Sequence, residues 1–340
     1  MKKSERIDWV DYAKGISIVL VVMMHATLSS EEALGAAGWL HGVVEFARPF
    51  RIPAFFLIAG LFVARTIDQD WRTFLDRKIL YFAYFYVLWL TIQFMFRGPV
   101  YVAETGALEA LRLYLLAFID PFGTLWFIYL LPVFYLVTRL TRGLPPALVL
   151  IAAAALEIAP IESGWTLIDE FAGRFVYFYA GYLIGGWVVT HAEWIRARPA
   201  TTLIALSAFA LATAWCVAAN VAALPGISLA LGFAGAAAVI AVSVLLARFA
   251  LFDGIRLCGQ HSLVIYLAFF LPMAVTRIVL VKSAIITDPG TVAALVTLVA
   301  VSVPLVLHRL VRGTSFDFLF YRPARFQLRG PKAPTLQPAE

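Results

Sequence analysis

Apolar stretches separated by short polar segments run along nearly the whole chain. A membrane-spanning helix needs roughly 20 mostly apolar residues. Ten stretches reach or approach that length, near residues 11–29, 43–64, 79–97, 123–139, 146–160, 170–190, 200–220, 227–248, 260–281 and 291–308. A further apolar stretch, 108–119, is typical of an interfacial or re-entrant segment. The pattern therefore predicts an all-α membrane bundle of about ten transmembrane helices.

The composition supports this prediction. Of the 340 residues, 62% are hydrophobic and only 14% are charged, whereas a soluble domain carries about 25% charged residues. A single core grows too slowly with chain length to hide so much apolar surface, so lipid must cover a large part of it. The net charge is +6, and the basic residues lie between apolar stretches. This position indicates contact with the membrane surface and not with nucleic acid. Cys216 and Cys258 lie in or beside different predicted helices, and no metal-ligand spacing is visible, so we expect no disulfide framework and no metal site.

The distribution of Lys and Arg predicts the orientation. With a cytoplasmic N-terminus, twenty of the 27 basic residues fall in cytoplasmic segments and seven in outer ones, in agreement with the positive-inside rule. Both termini are therefore predicted to be cytoplasmic. No small-residue cleavage site follows the N-terminal sequence, which favours a first membrane helix over a removed signal peptide. We divide the chain into a transmembrane domain, 1–312, and a cytoplasmic tail, 313–340, which is predicted to be partly interfacial and partly disordered.

His25 is the most notable polar residue inside an apolar stretch. An ionisable group away from the ends of a membrane helix is a functional candidate. Lys14 precedes it by eleven residues, which returns to nearly the same helix face about 16 Å along the axis, and Asp11 joins that face. A basic entrance that leads to a buried base suits an anionic cofactor that approaches from the cytoplasm, although a lysine near a helix start also simply extends its charged end to the membrane surface. The residues alone equally allow a structural imidazole that is hydrogen-bonded to a neighbouring helix.

A second group of charges opens the second apolar stretch. Arg48 and Arg51 lie one turn apart near Glu45, and such charges are costly in a membrane helix unless they are paired or hydrated. Pro49 and Pro53 interrupt regular hydrogen bonding there, as expected of backbone that lines a cavity. A structural Glu–Arg pair at the lipid interface is the alternative.

The main basic cytoplasmic loop contains Arg72, Arg77 and Lys78. These side chains could bind phosphate groups, although basic loops also serve only to set the topology. Trp126, in GTLWFIYLLP, is typical of helix packing.

Two charges in later helices carry no motif. Glu157 and Arg174 lie in the fifth and sixth predicted spans. They could form an ion pair with each other or face a cavity.

These features together resemble the acyltransferase family 3 integral membrane acyltransferases. The opening RIDWVDYAKGISIVLVVMMH is similar to that family's first helix, in which ten residues separate a basic residue from a histidine, here Lys14 and His25. RIPAFFLIAGLF, the basic loop before LYFAYFYVLW, LWFIYLLP and CGQHSLVIYLAFF resemble later family blocks in the same order. The resemblance covers about residues 6–310. Two positions depart from the pattern, since Ala59 stands where serine is common and Phe269 where histidine is common.

The resemblance implies transfer of a short acyl group, acetyl or succinyl, from cytoplasmic acyl-coenzyme A to a hydroxyl of an envelope carbohydrate or similar acceptor. Acyl-coenzyme A would be a co-substrate, with no tightly bound cofactor, and the expected location would be a bacterial inner membrane. His25 would act as general base or as transient acyl carrier. The remaining candidates divide by role into donor-phosphate ligands (Lys14, Arg72, Arg77, Lys78), acceptor or oxyanion contacts (Arg48, Arg51, Glu45) and supporting residues (Asp11, Trp126).

Two other classes of function stay open at the level of sequence. Buried Arg and His in a helical bundle also suit a transporter or exporter of a small anion or a lipid-linked sugar, although the chain has no related halves. A non-catalytic membrane scaffold would tolerate replacement of the same residues. The sequence leaves the acyl group, the acceptor and the oligomeric state undetermined.

Overall fold

Helices make up the regular structure of the computed structural model, which describes residues 7–121 and 123–328. The α-helices are α1 Asp8–Leu34, α2 His41–Ala47, α3 Arg51–Gly60, α4 Ala64–Ile67, α5 Trp71–Phe74, α6 Tyr81–Thr105, α7 Ala107–Leu116, α8 Trp126–Leu140, α9 Pro146–Ile158, α10 Thr166–Ala197, α11 Pro199–Ala218, α12 Ile227–Phe249, α13 Asp253–Gln260, α14 Ser262–Ala268, α15 Phe270–Ser283 and α16 Pro289–Val311. A π-helical turn, Leu75–Leu80, joins α5 to α6, and short 3-10 turns lie at Thr141–Gly143, Asp317–Leu319 and Ala324–Phe326. The all-α prediction is confirmed for these residues.

Several helices are long and apolar enough to cross a membrane. There are five in the described part of the chain: α1, the continuous run Trp71–Thr105, α11, α12 and α16. The pair α14 and α15, bent by 54°, would make a sixth span. The predicted count of ten spans and the cytoplasmic location of both termini stay predictions. The apolar stretch 108–119 forms the short helix α7, whose Leu108 is largely exposed.

The prediction of one continuous second helix over 43–64 is wrong. The chain instead forms α2, α3 and α4, with a turn at residues 48–50. Pro49 and Pro53 explain the break, because neither has an N–H to donate to the carbonyl four residues earlier. Pro53 is tolerated in the first turn of α3, where an N–H is not needed. As a result Arg51 begins a new helix inside the bundle and is buried.

The predicted helix over 260–281 is likewise interrupted. It is divided into the end of α13, then α14 and α15, and the last two meet at a sharp bend. Pro272 lies in the first turn of α15 and cannot donate to the carbonyl of Ala268, which accounts for the bend. Phe269 occupies the corner and is fully buried.

Close backbone contacts hold α1 and α3 in the centre of the bundle. α1 packs against α3, α12, α13 and α16, and α3 packs against α10. A Cβ atom on Gly259 would overlap the carbonyl oxygen of Asp11, and one on Gly181 would overlap that of Leu57. Small residues let membrane helices approach in this way. The two central helices thereby place Lys14, His25 and Arg51 on rigid elements.

The described part of the tail packs against α6. Trp89 Nε1 donates to the carbonyl oxygen of Leu319 at 3.0 Å, and Tyr84 Oη donates to that of Phe318 at 2.9 Å. Phe320 is buried, and its ring centroid lies 5.7 Å from that of Trp89. The segment 331–340, which is predicted to be disordered, lies outside the described residues.

Candidate active site

A polar cavity of about 240 Å³ surrounds His25. We call it the histidine cavity. Its polar lining comes from four helices and the segment before α8, and consists of His25, Arg51, Thr124, Glu170, Arg174 and Tyr266. Trp126, which was expected to serve packing or support, also lines it and contacts the ring of Phe56 at 6.1 Å between centroids. The cavity therefore combines one imidazole, two guanidinium groups and one carboxylate within apolar walls.

His25 lies in the middle of α1 and is partly exposed to this cavity. Its ring lies 5.6 Å from that of Phe269, centroid to centroid. Within residues 7–121 and 123–328, the structure gives the imidazole no hydrogen-bond partner. The alternative of a structural imidazole bonded to a neighbouring helix therefore finds no partner in this part of the chain, and both ring nitrogens can interact with a substrate.

Arg51 supplies the buried positive charge of the histidine cavity. The residue is only 6% exposed. Its Nη1 lies 3.5 Å from the carbonyl oxygen of Val44, a long and weak contact, and its Nε has no partner among the described residues. A buried donor without a partner is energetically costly. Arg51 is thus well suited to donate hydrogen bonds to a negatively charged group in the cavity.

Glu45 and Arg48, which were predicted to share the role of Arg51, lie elsewhere. They form an ion pair with each other at 3.3 Å on the surface, and the Arg48 side chain is 70% exposed. Neither residue lines the histidine cavity. Their arrangement matches the alternative of a structural pair, because Pro49 and the turn after it rotate Arg51 inward and leave Arg48 outside.

Glu170 and Arg174 belong to the cavity but were missed as a pair at the level of sequence. Arg174 Nε donates to Glu170 at 3.1 Å, and both side chains line the cavity. Glu157, the partner suggested for Arg174, instead accepts hydrogen bonds from Tyr177 and Ser228. The four-residue spacing of Glu170 and Arg174 on an apolar helix was the available signal.

A second cavity of about 310 Å³ contains two lysines, and we call it the lysine cavity. Lys14 and Lys78 line it together with Tyr81, Tyr135 and Ser262. Lys78 Nζ lies 3.5 Å from Tyr135 Oη and 4.5 Å from the centroid of that ring. Two ammonium groups in a partly enclosed, largely apolar cavity favour an anionic ligand with an apolar arm.

The other predicted donor ligands do not line the lysine cavity. Arg72 is exposed and donates to the carbonyl oxygen of Leu328 at 2.7 Å, and Arg77 is also exposed. Asp11 is buried, and its backbone lies against Gly259 where α1 meets α13. Their functional roles stay predictions. Across residues 7–121 and 123–328, no cluster of three or more metal-ligating side chains is present.

The two cavities share three aromatic lining side chains, which we call the aromatic layer. Phe55, Phe127 and Tyr266 line both cavities. The rings of Phe55 and Phe127 stack with centroids 4.4 Å apart. Tyr266 Oη accepts from the backbone N–H of Ile128 at 3.3 Å and donates to the carbonyl oxygen of Thr124. Reactive groups from the two sides could therefore meet at this layer.

Comparison with known proteins gives two positive findings. The family model described as "Acyltransferase domain" matches residues 7–309. The inner membrane protein YcfT of Escherichia coli (strain K12) is 23% identical over 241 residues, which covers 63% of this chain and 66%, slightly less than two thirds, of that protein. No solved structure matches the chain.

Proposed function

The chain belongs to the acyltransferase family whose model matches residues 7–309, and we propose that it moves a short acyl group from acyl-coenzyme A to a hydroxyl acceptor. Family membership indicates a multi-pass membrane acyltransferase. The donor, the acyl group, the acceptor and the residues that carry the reaction are the content of the proposal. The proposal also includes ten membrane spans, cytoplasmic termini and a location in a bacterial inner membrane.

One observation carries the proposal: the lysine cavity and the histidine cavity meet at a shared aromatic layer. Coenzyme A has phosphate groups at one end and the thioester at the end of a narrow, uncharged arm. Lys14 and Lys78 suit the charged end and the apolar part of the lysine cavity suits the arm. The thioester would then reach the aromatic layer, beyond which His25 lies.

His25 acts in this proposal as the general base. It takes the proton of the acceptor hydroxyl while that oxygen bonds to the thioester carbonyl carbon. The carbonyl oxygen becomes negative and Arg51, whose Nε has no partner among the described residues, stabilises it. The C–S bond then breaks, and the thiolate receives the proton from the imidazolium. If His25 instead carries the acyl group, an imidazole nitrogen bonds to the carbonyl carbon as the C–S bond breaks, and the thiolate takes the proton from the other ring nitrogen. The acceptor oxygen then bonds to the same carbon, the N–C bond breaks, and the imidazole takes the hydroxyl proton.

The size of the histidine cavity favours a small acyl group. About 240 Å³ must hold both the acyl group and the acceptor hydroxyl, and its polar lining suits a hydroxylated acceptor better than a hydrocarbon one. We therefore propose an acetyl or succinyl group and a carbohydrate of the cell envelope.

Sealed membrane vesicles of known orientation test the donor and its side of entry. Acetyl-coenzyme A with a labelled acetyl group is added to inverted vesicles, in which the cytoplasmic face is outside, and to right-side-out vesicles. The proposal expects labelled ester only in the inverted vesicles, because the charged donor cannot cross the bilayer.

Two other outcomes contradict the proposal. Ester formation only in right-side-out vesicles would reverse the assigned orientation. Uptake of a labelled anion without consumption of thioester in either preparation would support the transporter.

A further inference from the structure

The turn that carries Lys78 is π-helical. Residues Leu75–Leu80 form this turn between α5 and α6. A π turn holds one residue more than an α turn, is rare, and often occurs at functional sites. The extra residue rotates the helix before the turn relative to the helix after it by about 100°. Whether Lys78 points into the lysine cavity therefore depends on this turn.

Asp76 lies in the same turn and accepts three hydrogen bonds from the tail. Arg322 Nη2 donates to Asp76 Oδ1 at 2.9 Å, and Arg322 Nη1 donates to the backbone carbonyl oxygen of Asp76 at 2.8 Å. The N–H of Leu328 donates to the same Oδ1 at 2.8 Å. The Arg322 side chain is only 6% exposed and the Asp76 side chain 11%. The Arg322 guanidinium thus donates hydrogen bonds to both the side chain and the backbone carbonyl oxygen of Asp76 in the π turn.

The tail is anchored on both sides of this contact. Upstream, Phe318 and Leu319 accept hydrogen bonds from side chains of α6. Downstream, Leu328 accepts from Arg72. Arg322 also lies 5.9 Å above the ring of Tyr81, which lines the lysine cavity. The segment 318–328 therefore packs along α5, the π turn and α6, and the last two elements contribute Lys78 and Tyr81 to the lysine cavity.

We propose that the tail segment 318–328 is a positioning element of the donor site, in which Arg322 acts through Asp76 to hold the π turn and so aim Lys78 into the lysine cavity. This inference rests on the proposed function, because it takes the lysine cavity as the site of the donor. Without the Arg322–Asp76 ion pair, the π turn relaxes toward α-helical geometry, and Lys78 rotates away from the lysine cavity. Arg322 does not touch the donor itself.

Acetyl-coenzyme A binding to the purified full-length protein in detergent, measured by isothermal titration calorimetry, tests the inference. Arg322→Gln and Asp76→Asn each remove the ion pair with little change in volume. Arg325→Gln is the matched control, because Arg325 is a neighbouring exposed tail arginine that lies over the ring of Phe326. We expect about tenfold weaker binding for the first two variants, the value of one lost charge-assisted hydrogen bond, and unchanged binding for the control.

A second comparison separates positioning from general destabilisation. In a Lys78→Met background, Arg322→Gln should weaken binding no further, because its effect passes through Lys78. For the same reason, Arg322→Gln alone should raise the KM for donor while kcat stays within about twofold. If Arg322→Gln does not yield folded protein, Arg322→Lys keeps the charge but loses the double contact, and it should lie between wild type and Asp76→Asn.

The outcomes distinguish this inference from the proposed function. Wild-type binding by Arg322→Gln, or a further loss in the Lys78→Met background, overturns the positioning role and leaves the acyltransferase proposal intact. A wild-type protein that is folded but binds no acetyl-coenzyme A overturns the donor assignment, and the positioning role falls with it.

Discussion

Replacement of Gly181 by alanine should damage activity more than stability. Gly181 lies in α10 where that helix touches α3, and an added Cβ would overlap the carbonyl oxygen of Leu57. Backbone cannot rotate aside as a side chain can, so α3 must retreat by about 1 Å to restore the roughly 3.0 Å that real Cβ atoms keep. α3 begins with Arg51 and α10 carries Arg174, so the two walls of the histidine cavity separate.

The two effects differ in size. Overpacking of this kind costs about 1–3 kcal/mol, but alanine is preferred to glycine in a helix by about 1 kcal/mol, so the net loss of stability should not exceed about 2 kcal/mol. A displacement of about 1 Å at a reacting centre can lower the rate about a hundredfold. The expected result is therefore a small change in the thermal midpoint and a large loss of acyl transfer.

Gly186→Ala provides the matched control, because a Cβ at Gly186 in the same helix would meet nothing within 4 Å. Both variants are purified in detergent and compared in thermal unfolding and in release of free thiol from acetyl-coenzyme A with acceptor. Gly186→Ala should match the wild type or exceed it in stability. Equal activity in the two variants would refute the reasoning that close contact of α3 and α10 sets the geometry of the site.

Individual side chains provide three further tests. Arg51→Met should lower kcat about 10²- to 10³-fold, as loss of an oxyanion donor does, with little change in the KM for donor. A change in KM without a change in kcat would show that Arg51 binds the substrate and does not selectively stabilise the transition state. Phe127→Ala should extend the accepted acyl chain length, because it thins the layer between the cavities; steady-state rates with a series of acyl-coenzyme A donors measure this, and an unchanged preference would contradict it. Hydrogen bonds from Thr291 to Asp288 at the start of α16 hold the pKa of that carboxyl below its usual value. The stabilisation is therefore complete above about pH 4 and lost as the pH falls through the lowered pKa, so acid should reduce the thermal midpoint of the wild type more than that of Asp288→Ala, and equal reductions would contradict this.

The sequence predicted the parts of the site that depend on spacing within one helix. Lys14 and His25 lie on one continuous helix, so helical periodicity alone places them on one face, and both line cavities. The two prolines beside Arg51 also indicated a break near a cavity. The prediction of one continuous helix over 43–64 was wrong for the same reason. It rested on the pattern of apolar residues, which does not show that proline lacks the backbone N–H that a continuous helix needs.

The parts that depend on contacts between distant segments could not be predicted. Arg72 and Lys78 look equivalent in a basic loop, and only the π turn and the docked tail separate the exposed one from the one in the cavity. Tyr266 carries no signal in a chain with thirteen tyrosines, and its hydroxyl contacts the backbone of Ile128 and Thr124, which lie 138 and 142 residues earlier. These hydrogen bonds between the Tyr266 hydroxyl and the backbone form only when α14 lies beside the start of α8.

Thiol release from acetyl-coenzyme A by the purified protein with acceptor, for wild type beside His25→Ala, tests the central claim most directly. His191→Ala is the control, because His191 is an exposed histidine stacked on Trp187, outside both the histidine cavity and the lysine cavity. The account predicts that His25→Ala folds, still binds acetyl-coenzyme A, and loses at least about 10²-fold in transfer rate, while His191→Ala stays at the wild-type rate. Wild-type transfer by a folded His25→Ala variant would contradict the account.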